Sequence, residues 1–311
     1  MIEASPKVCV TEHGSVTYRD VGMGYPVLYF HGTGAHSDAA LLLDYPLVES
    51  NCRLIIPNRP GYGGSALGER GSATFCAMQA DRLLRHLGID RVVAVGTSSG
   101  GMPAAAFASS YPQRTAGLVL QCCQAHRWDN RKWMPKGLGW ALFLFHHRIF
   151  TTLLKWETLR QAKTSANDPR RCLSHMSGDR YDDLADDKDA LARISKLTTL
   201  SLECARSPTG IENDWAMLVG DNSISEQTIQ CPTLIIHDRA DPLVPFAHAE
   251  WSQQTIAHAR LLDVHAGGHL IWFGQDYASL HNVRVEFIHR ALAARSPQDN
   301  CVNRSGESGG I

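Results

Sequence analysis

Short, nearly continuous apolar runs alternate with amphipathic stretches along most of this chain. That alternation is the pattern of βαβ units, in which strands buried on both faces read as unbroken hydrophobic runs. Val8 to Thr11 and Val16 to Asp20 read as an opening pair of strands. Pro26 to Phe30 predicts a buried strand ending in His31-Gly32-Thr33-Gly34, and Arg53 to Ile56 another, leading into Pro57-Asn58-Arg59-Pro60-Gly61-Tyr62-Gly63-Gly64-Ser65. Ala73 to Leu87 has helical periodicity, with Gly88 placed as its stop. Arg91 to Val95 is a strand running into a Gly/Ser-rich turn, Met102 to Ser110 a helix of small residues behind it, and Gly117 to Cys122 the sixth strand. Strands resume at Pro232 to His237 and Arg260 to Val264, and Ala278 to Ala294 closes as a helix.

Between the sixth and seventh strands the character changes. Strand-like alternation gives way to helical patterning, and five of the seven tryptophans fall here: Trp128, Trp133, Trp140, Trp156 and Trp215. The pattern therefore predicts an α/β core made of residues 1–124 and 231–295, interrupted by a helical insertion over 125–230, with 296–311 as a small, polar tail expected to fray. The apolar run Leu138 to Phe145 is too short to span a bilayer. The acidic stretch from Asp182 to Asp189 reads as a solvated face.

Composition narrows the function classes. With 311 residues, 44% of them hydrophobic and 20% charged, the chain can bury a large core. A formal net charge of -1 gives no electrostatic footprint for nucleic acid or an anionic membrane. The N-terminus lacks a basic and then apolar signal pattern, so a cytoplasmic location is expected. The nine cysteines are scattered, with no CxxC pair, and the fifteen histidines include no HExxH. These patterns predict reduced, buried thiols and neither a disulfide framework nor a metal site. Gly61-Tyr62-Gly63-Gly64 is not followed by Gly-Lys-Ser/Thr, so it reads as a structural turn, not a phosphate cradle. No cofactor is expected, and the partner is expected to be a small-molecule substrate.

Gly96-Thr97-Ser98-Ser99-Gly100 is a G-x-S-x-G pentapeptide lying between a predicted strand and a predicted helix. A sharp strand-to-helix turn there pushes Ser98 out at the carboxyl end of the sheet, beside free helix N–H groups. Ser99 is a competitor, but its frame puts Thr97 where a glycine is wanted. His31-Gly32-Thr33-Gly34 turns tightly enough to aim a backbone N–H at the same place, so the Thr33 and Ser99 amides are assigned as an oxyanion hole. His31 itself reads as structural. In His265-Ala266-Gly267-Gly268-His269 the base is His269, with His265 its local rival. Asp238, Asp241 and Asp263 each follow a predicted strand and are all candidates for the carboxylate that orients the histidine.

The order Ser, then acid, then His along the chain is that of α/β-hydrolases. With the motifs quoted above, and with Arg239-Ala240-Asp241-Pro242-Leu243-Val244-Pro245, nearly the whole chain resembles the cap-bearing members of that fold family. The resemblance implies a mostly parallel sheet flanked by helices, a helical cap between strands 6 and 7, and Asp241 as the triad acid. Asn58 stands where an aspartate is common in the family, a departure read as structural. A serine nucleophile disfavours the dehalogenase and epoxide hydrolase branches, which need a carboxylate there. The expected activity is hydrolysis of a small to medium, largely apolar carboxylic ester through an acyl-enzyme. Carbon–carbon bond hydrolysis, lactone opening and cofactor-free perhydrolysis use the same triad. A non-catalytic ligand-binding protein is the rival of another class. Trp128, Trp140 and Phe143 of the insertion, together with Trp272, are the expected pocket-lining residues.

Overall fold

Eight strands form one twisted sheet in the order β1-β2-β4-β3-β5-β6-β7-β8. The computed structural model describes residues 5–68, 71–125, 148–219 and 226–294. The strands are β1 (Lys7–Thr11), β2 (Gly14–Val21), β3 (Tyr25–Phe30), β4 (Cys52–Pro57), β5 (Val92–Thr97), β6 (Thr115–Gln121), β7 (Thr233–His237) and β8 (Ala259–Asp263). β1 and β2 pair antiparallel, and β2 joins β4 antiparallel. All other neighbours are parallel. The central strands are buried along their whole length, which is why they read as continuous apolar runs in the sequence.

Alternate strand residues feed two separate cores. Val27, Tyr29, Leu54, Ile56, Val93, Val95, Val119 and Ile236 face one side, with helices α1 (Ser37–Glu49) and α10 (Tyr277–Ala293). Leu28, Phe30, Ile55, Val92, Ala94, Leu118, Leu120 and Ile235 face the other, with α2 (Ala73–His86), α3 (Gly101–Ser110) and α9 (Ala247–Thr255). The described residues between β6 and β7 contain α4 (Arg148–Asn167), α5 (Pro169–Ser177), α6 (Tyr181–Leu184), α7 (Lys188–Arg206) and α8 (Thr209–Val219). Leu173, Leu184, Ala190 and Ile194 of this segment join the first core. Among the described residues no helix is long and apolar enough to cross a membrane.

Two helices are absent from the sequence reading. In α1 the run contains Pro46 and a non-helical Asp44 (φ −110°, ψ 21°), so the chain bends and the apolar periodicity is interrupted. α9 is only nine residues long and follows a loop held by Pro242 and Pro245.

The kink in α1 carries Asp44 into a polar cluster closed off from solvent at the carboxyl end of the sheet. Asp44 and Arg284 are an ion pair at 2.7 Å, each 1% exposed or less. Tyr29 Oη donates to Asp44 Oδ2 (2.6 Å) and lies 2.7 Å from Thr97 Oγ1. Arg284 Nη1 also donates to Gln121 Oε1 (2.7 Å), and Gln121 Nε2 donates to Thr97 Oγ1 (3.1 Å). The cluster ties β3, β5, β6, α1 and α10 together one residue before Ser98. Burial pushes the Tyr29 phenol well above its ordinary 10, with the Asp44 charge adding to it, so the hydroxyl stays a donor. Removing one member of a buried pair leaves the other charge uncompensated, at a cost of about 3–5 kcal/mol. Asp44→Ala is therefore expected to lower unfolding free energy by that amount in a urea titration. A loss below about 1 kcal/mol contradicts this account of the cluster.

Candidate active site

Ser98 follows the last residue of β5 and has φ +52°, a left-handed conformation that L-residues rarely adopt. The strain persists because the turn is enclosed on both sides. A Cβ on Gly100 would overlap the carbonyl oxygens of Phe30 and His31 at the end of β3, and one on Gly101 would meet the Cys123 side chain beyond β6. These glycines let the start of α3 press against the neighbouring strand ends, and the pressure holds the intervening serine in its unusual conformation. The single turn Ser98–Gly100 then leads into α3. Ser98 is half-buried, whereas Ser99 is 1% exposed with its Oγ taken up by hydrogen bonds from inside the protein. Of the two serines, Ser98 is the one open to a reactant.

The loop after β3 lies directly on Ser98, since a Cβ on Gly32 would stand 3.2 Å from the Ser98 Cβ. The next residue, Thr33, has its hydroxyl 2.7 Å from Ser99 Oγ. The two residues assigned to an oxyanion hole are thus side by side. His31 is fixed beneath them. Its Nδ1 lies 2.9 Å from the Gly32 carbonyl oxygen, and its Nε2 accepts the Arg59 N–H at 3.0 Å. Those partners require the neutral tautomer with the proton on Nδ1. Burial, with the Arg59 charge adding to it, holds His31 well below its ordinary 6.5. Both nitrogens are committed to the backbone, so His31 holds the loop and has no free atom for Ser98.

Asp241 and His269 meet across the ends of β7 and β8, with His269 Nδ1 2.7 Å from Asp241 Oδ2 and both residues buried. Asp241 Oδ1 accepts the N–H groups of Leu243 (2.8 Å) and Val244 (2.9 Å). His237 Nε2 stands 3.3 Å from Asp241 Oδ2 and donates to the Val244 carbonyl at 2.8 Å. Burial by itself would raise the carboxyl pKa. The contacts from His237, His269 and Val244 outweigh it and hold Asp241 well below 3.8.

The other acid and base candidates have different partners. Asp238 accepts the backbone N–H groups of Ala240 (2.8 Å), Ala266 (2.9 Å) and Gly268 (3.2 Å), so it supports the histidine loop without touching the imidazole. Arg180, just after α5, faces the same carboxylate at 3.3 Å. Asp263 pairs with Arg239 on the surface, and His265 is half-exposed and faces Asp183 at 3.4 Å. The end of α5 also touches the histidine loop. The His269 N–H donates to the Met176 carbonyl (2.9 Å), and a Cβ on Gly268 would strike the Ser177 carbonyl.

Of the expected pocket residues, Trp128, Trp140 and Phe143 lie outside the described residues. Trp272 is 3% exposed in the same apolar cluster as Phe273 and Leu280, and its indole N–H has no hydrogen-bond partner among the described residues. The sequence reading did not single out His237, Arg180, Arg59 or Asp214 for the site. Cys122 has φ +45° directly after β6 and lies close to the Ser98 backbone and to Asp241. Burial pushes its thiol well above 9, with the Asp241 charge adding to it, so it stays protonated and is no rival nucleophile.

Comparison with known proteins agrees with this architecture. The family model described as alpha/beta hydrolase fold matches residues 25–275. The chain is 30% identical over 285 residues to an uncharacterized hydrolase, YcgS, of Bacillus subtilis (strain 168), covering 88% of this chain and 95% of that protein. It is 26% identical over 267 residues to a non-heme haloperoxidase of Rhodococcus erythropolis, covering 84% and 91%. Among solved structures, an alpha/beta hydrolase fold protein from Nakamurella multipartita superposes with a TM-score of 0.74 at 25% identity, covering 92% of this chain and 99% of that one. With its mostly parallel sheet, its serine on a strained turn and its buried aspartate–histidine pair, the chain belongs to the α/β-hydrolase fold family and is an α/β-hydrolase enzyme.

Proposed function

We propose that this enzyme hydrolyses a small to medium, largely apolar carboxylic ester through an acyl-enzyme on Ser98. The observation that carries the reading is the 2.7 Å contact between His269 Nδ1 and Asp241 Oδ2 at the same end of the sheet as the strained serine. Donation of the Nδ1 proton to Asp241 leaves Nε2 as the free lone pair of a neutral imidazole. That nitrogen takes the proton of the Ser98 hydroxyl as its oxygen attacks the acyl carbon. The tetrahedral oxyanion is received by the Thr33 and Ser99 N–H groups. His269 returns the proton to the leaving alcohol, and water, activated the same way, releases the acid. The carboxylate of Asp241 steadies the imidazolium formed in each half-reaction. This chemistry requires no metal or organic cofactor.

The segment between β6 and β7, residues 125–230, is assigned as a cap over this site. The contacts of Met176, Ser177 and Arg180 with the acid and histidine loops support that role. Trp272 and the aromatic residues of the cap are assigned to the apolar side of the pocket. The free cysteines among the described residues fit the reducing cytoplasm.

The direct test is steady-state kinetics on a panel of nitrophenyl esters of rising chain length, lactones and ring-fission dienoates, with peracid formation assayed alongside. Short and medium esters are expected to be the best substrates, with Ser98→Ala lowering kcat by about 10⁴-fold or more. Faster turnover of a dienoate or a lactone, or ester turnover that survives Ser98→Ala, overturns the reading. Asp241→Asn is expected to lower kcat by a similar factor of about 10⁴ through the wrong imidazole tautomer. It also has a pH signature. Because the folded state holds the Asp241 carboxyl below its ordinary 3.8, the stabilisation is complete above that value and is lost as acid protonates the group. The urea midpoint of the wild type should therefore exceed that of Asp241→Asn at neutral pH, with the gap closing as pH falls through 4 towards 3. A gap that widens on acidification contradicts the assignment.

A further inference from the structure

Arg59 and Asp214 are 155 positions apart, yet each is 1% exposed and they form a two-pronged pair, with Nη1–Oδ1 and Nη2–Oδ2 both 2.6 Å. Arg59 follows β4, and Asp214 lies on α8 in the segment between β6 and β7. The approach is close because the chains meet through glycines. A Cβ on Gly61 would crowd the Gly210 backbone, and one on Gly210 would overlap the Tyr62 ring. Asp214 Oδ2 also accepts the Tyr62 hydroxyl (2.7 Å) and is 2.8 Å from Thr33 Oγ1. Tyr62 Oη in turn accepts the Gly34 N–H at 3.2 Å, and Arg59 Nη2 donates to Ser99 Oγ at 3.1 Å.

These contacts join end to end. A carboxylate only accepts, so Thr33 gives its single hydroxyl proton to Asp214. Thr33 Oγ1 also lies 2.7 Å from Ser99 Oγ, which accepts from Arg59 Nη2 at 3.1 Å. The loop closes from Arg59 through Ser99 and Thr33 to Asp214 and back to Arg59. The two residues whose amides face the oxyanion are therefore tied to each other and to opposite members of one buried ion pair.

We propose that Arg59 and Asp214 are positioning residues for the oxyanion hole: through the Ser99 and Thr33 hydroxyls they fix the spacing of its two amides, and Asp214 makes that spacing depend on α8 being docked. The proposal rests on the serine-hydrolase reading above. Its consequence is that the segment between β6 and β7 helps to complete the catalytic geometry in addition to any contact it makes with substrate. Desolvating an ion pair offsets most of its attraction, so stability alone is a weak reason for this pair to be buried. Amides held where charge develops act in the transition state, and small displacements there are costly.

Substitutions at the hydroxyls test this without stranding a buried charge. Thr33→Val keeps the shape and the amide and removes only the link, while Thr33→Ser restores the hydroxyl. On a nitrophenyl ester, Thr33→Val is expected to lower kcat about 10–100-fold, below the 10²–10³ of losing an oxyanion donor outright. KM should stay within about threefold, the melting temperature should be little changed, and Thr33→Ser should recover most of the loss. Asp214→Asn is expected to lower kcat in the same way, and Thr33→Val combined with Asp214→Asn to be no slower than the slower single variant, because both cut one chain. A Thr33→Val enzyme with kcat within about threefold of wild type, or one that loses only in KM, overturns the inference. So do fully additive single effects. If Asp214→Asn does not fold, the Thr33→Val and Thr33→Ser pair decides alone. Ser98→Ala run in parallel separates the two claims. If it is inactive while Thr33→Val is unaffected, the inference alone falls. If it is as active as wild type, the serine reading falls and takes the inference with it.

Discussion

The active end of this molecule depends on one close approach, that of the turn after β5 to the end of β3. There is no room for a side chain at Gly100 between the start of α3 and the carbonyl groups of Phe30 and His31. Packing that tight costs Ser98 an ordinary backbone angle, and the surrounding strands absorb the cost because all are buried and cross-linked beneath the turn by Tyr29, Asp44, Thr97, Gln121 and Arg284. The same approach brings Gly32 onto Ser98 and Thr33 within hydrogen-bonding distance of Ser99. Strain, exposure of the Ser98 hydroxyl and the contact between Thr33 and Ser99 share this one steric cause.

A second constraint divides labour between two aspartates three residues apart. Asp238 gathers the amides of Ala266 and Gly268 and so fixes where the histidine loop runs. Asp241 gathers the amides of Leu243 and Val244 on one oxygen and presents the other to His269. The loop position is thus set by one carboxylate and the imidazole orientation by the other. The end of α5 presses on both loops through Met176, Ser177, Gly178 and Arg180, linking them to the segment between β6 and β7.

Much of this was readable in the sequence, and the exceptions have physical causes. The parallel strands announced themselves because residues buried on both faces leave no polar positions. α1 did not, because Pro46 and the bend at Asp44 break its periodicity, and the reason for the bend is a contact with Arg284, 240 residues away in the chain. Ser98 was readable because its turn demands glycines at fixed offsets. Asp238 and Asp241 were not separable from local pattern, since both follow the same strand and differ only in which groups they meet. Family likeness favoured Asp241, and the structure pairs that residue with His269. Asp214 gave no local signal, because an acidic residue on a helix normally faces water and its partners lie on two distant loops.

In the proposed reaction the turn after β5 makes the Ser98 oxygen the nucleophile and His269 takes its proton. Reaction with an organophosphonate, followed by mass mapping of the modified peptide, tests it most directly. One adduct per chain is expected, located on Ser98 and not on Ser99, and forming far more slowly in His269→Ala. A folded protein that takes up no adduct under excess reagent, or that carries it on another residue, would contradict it.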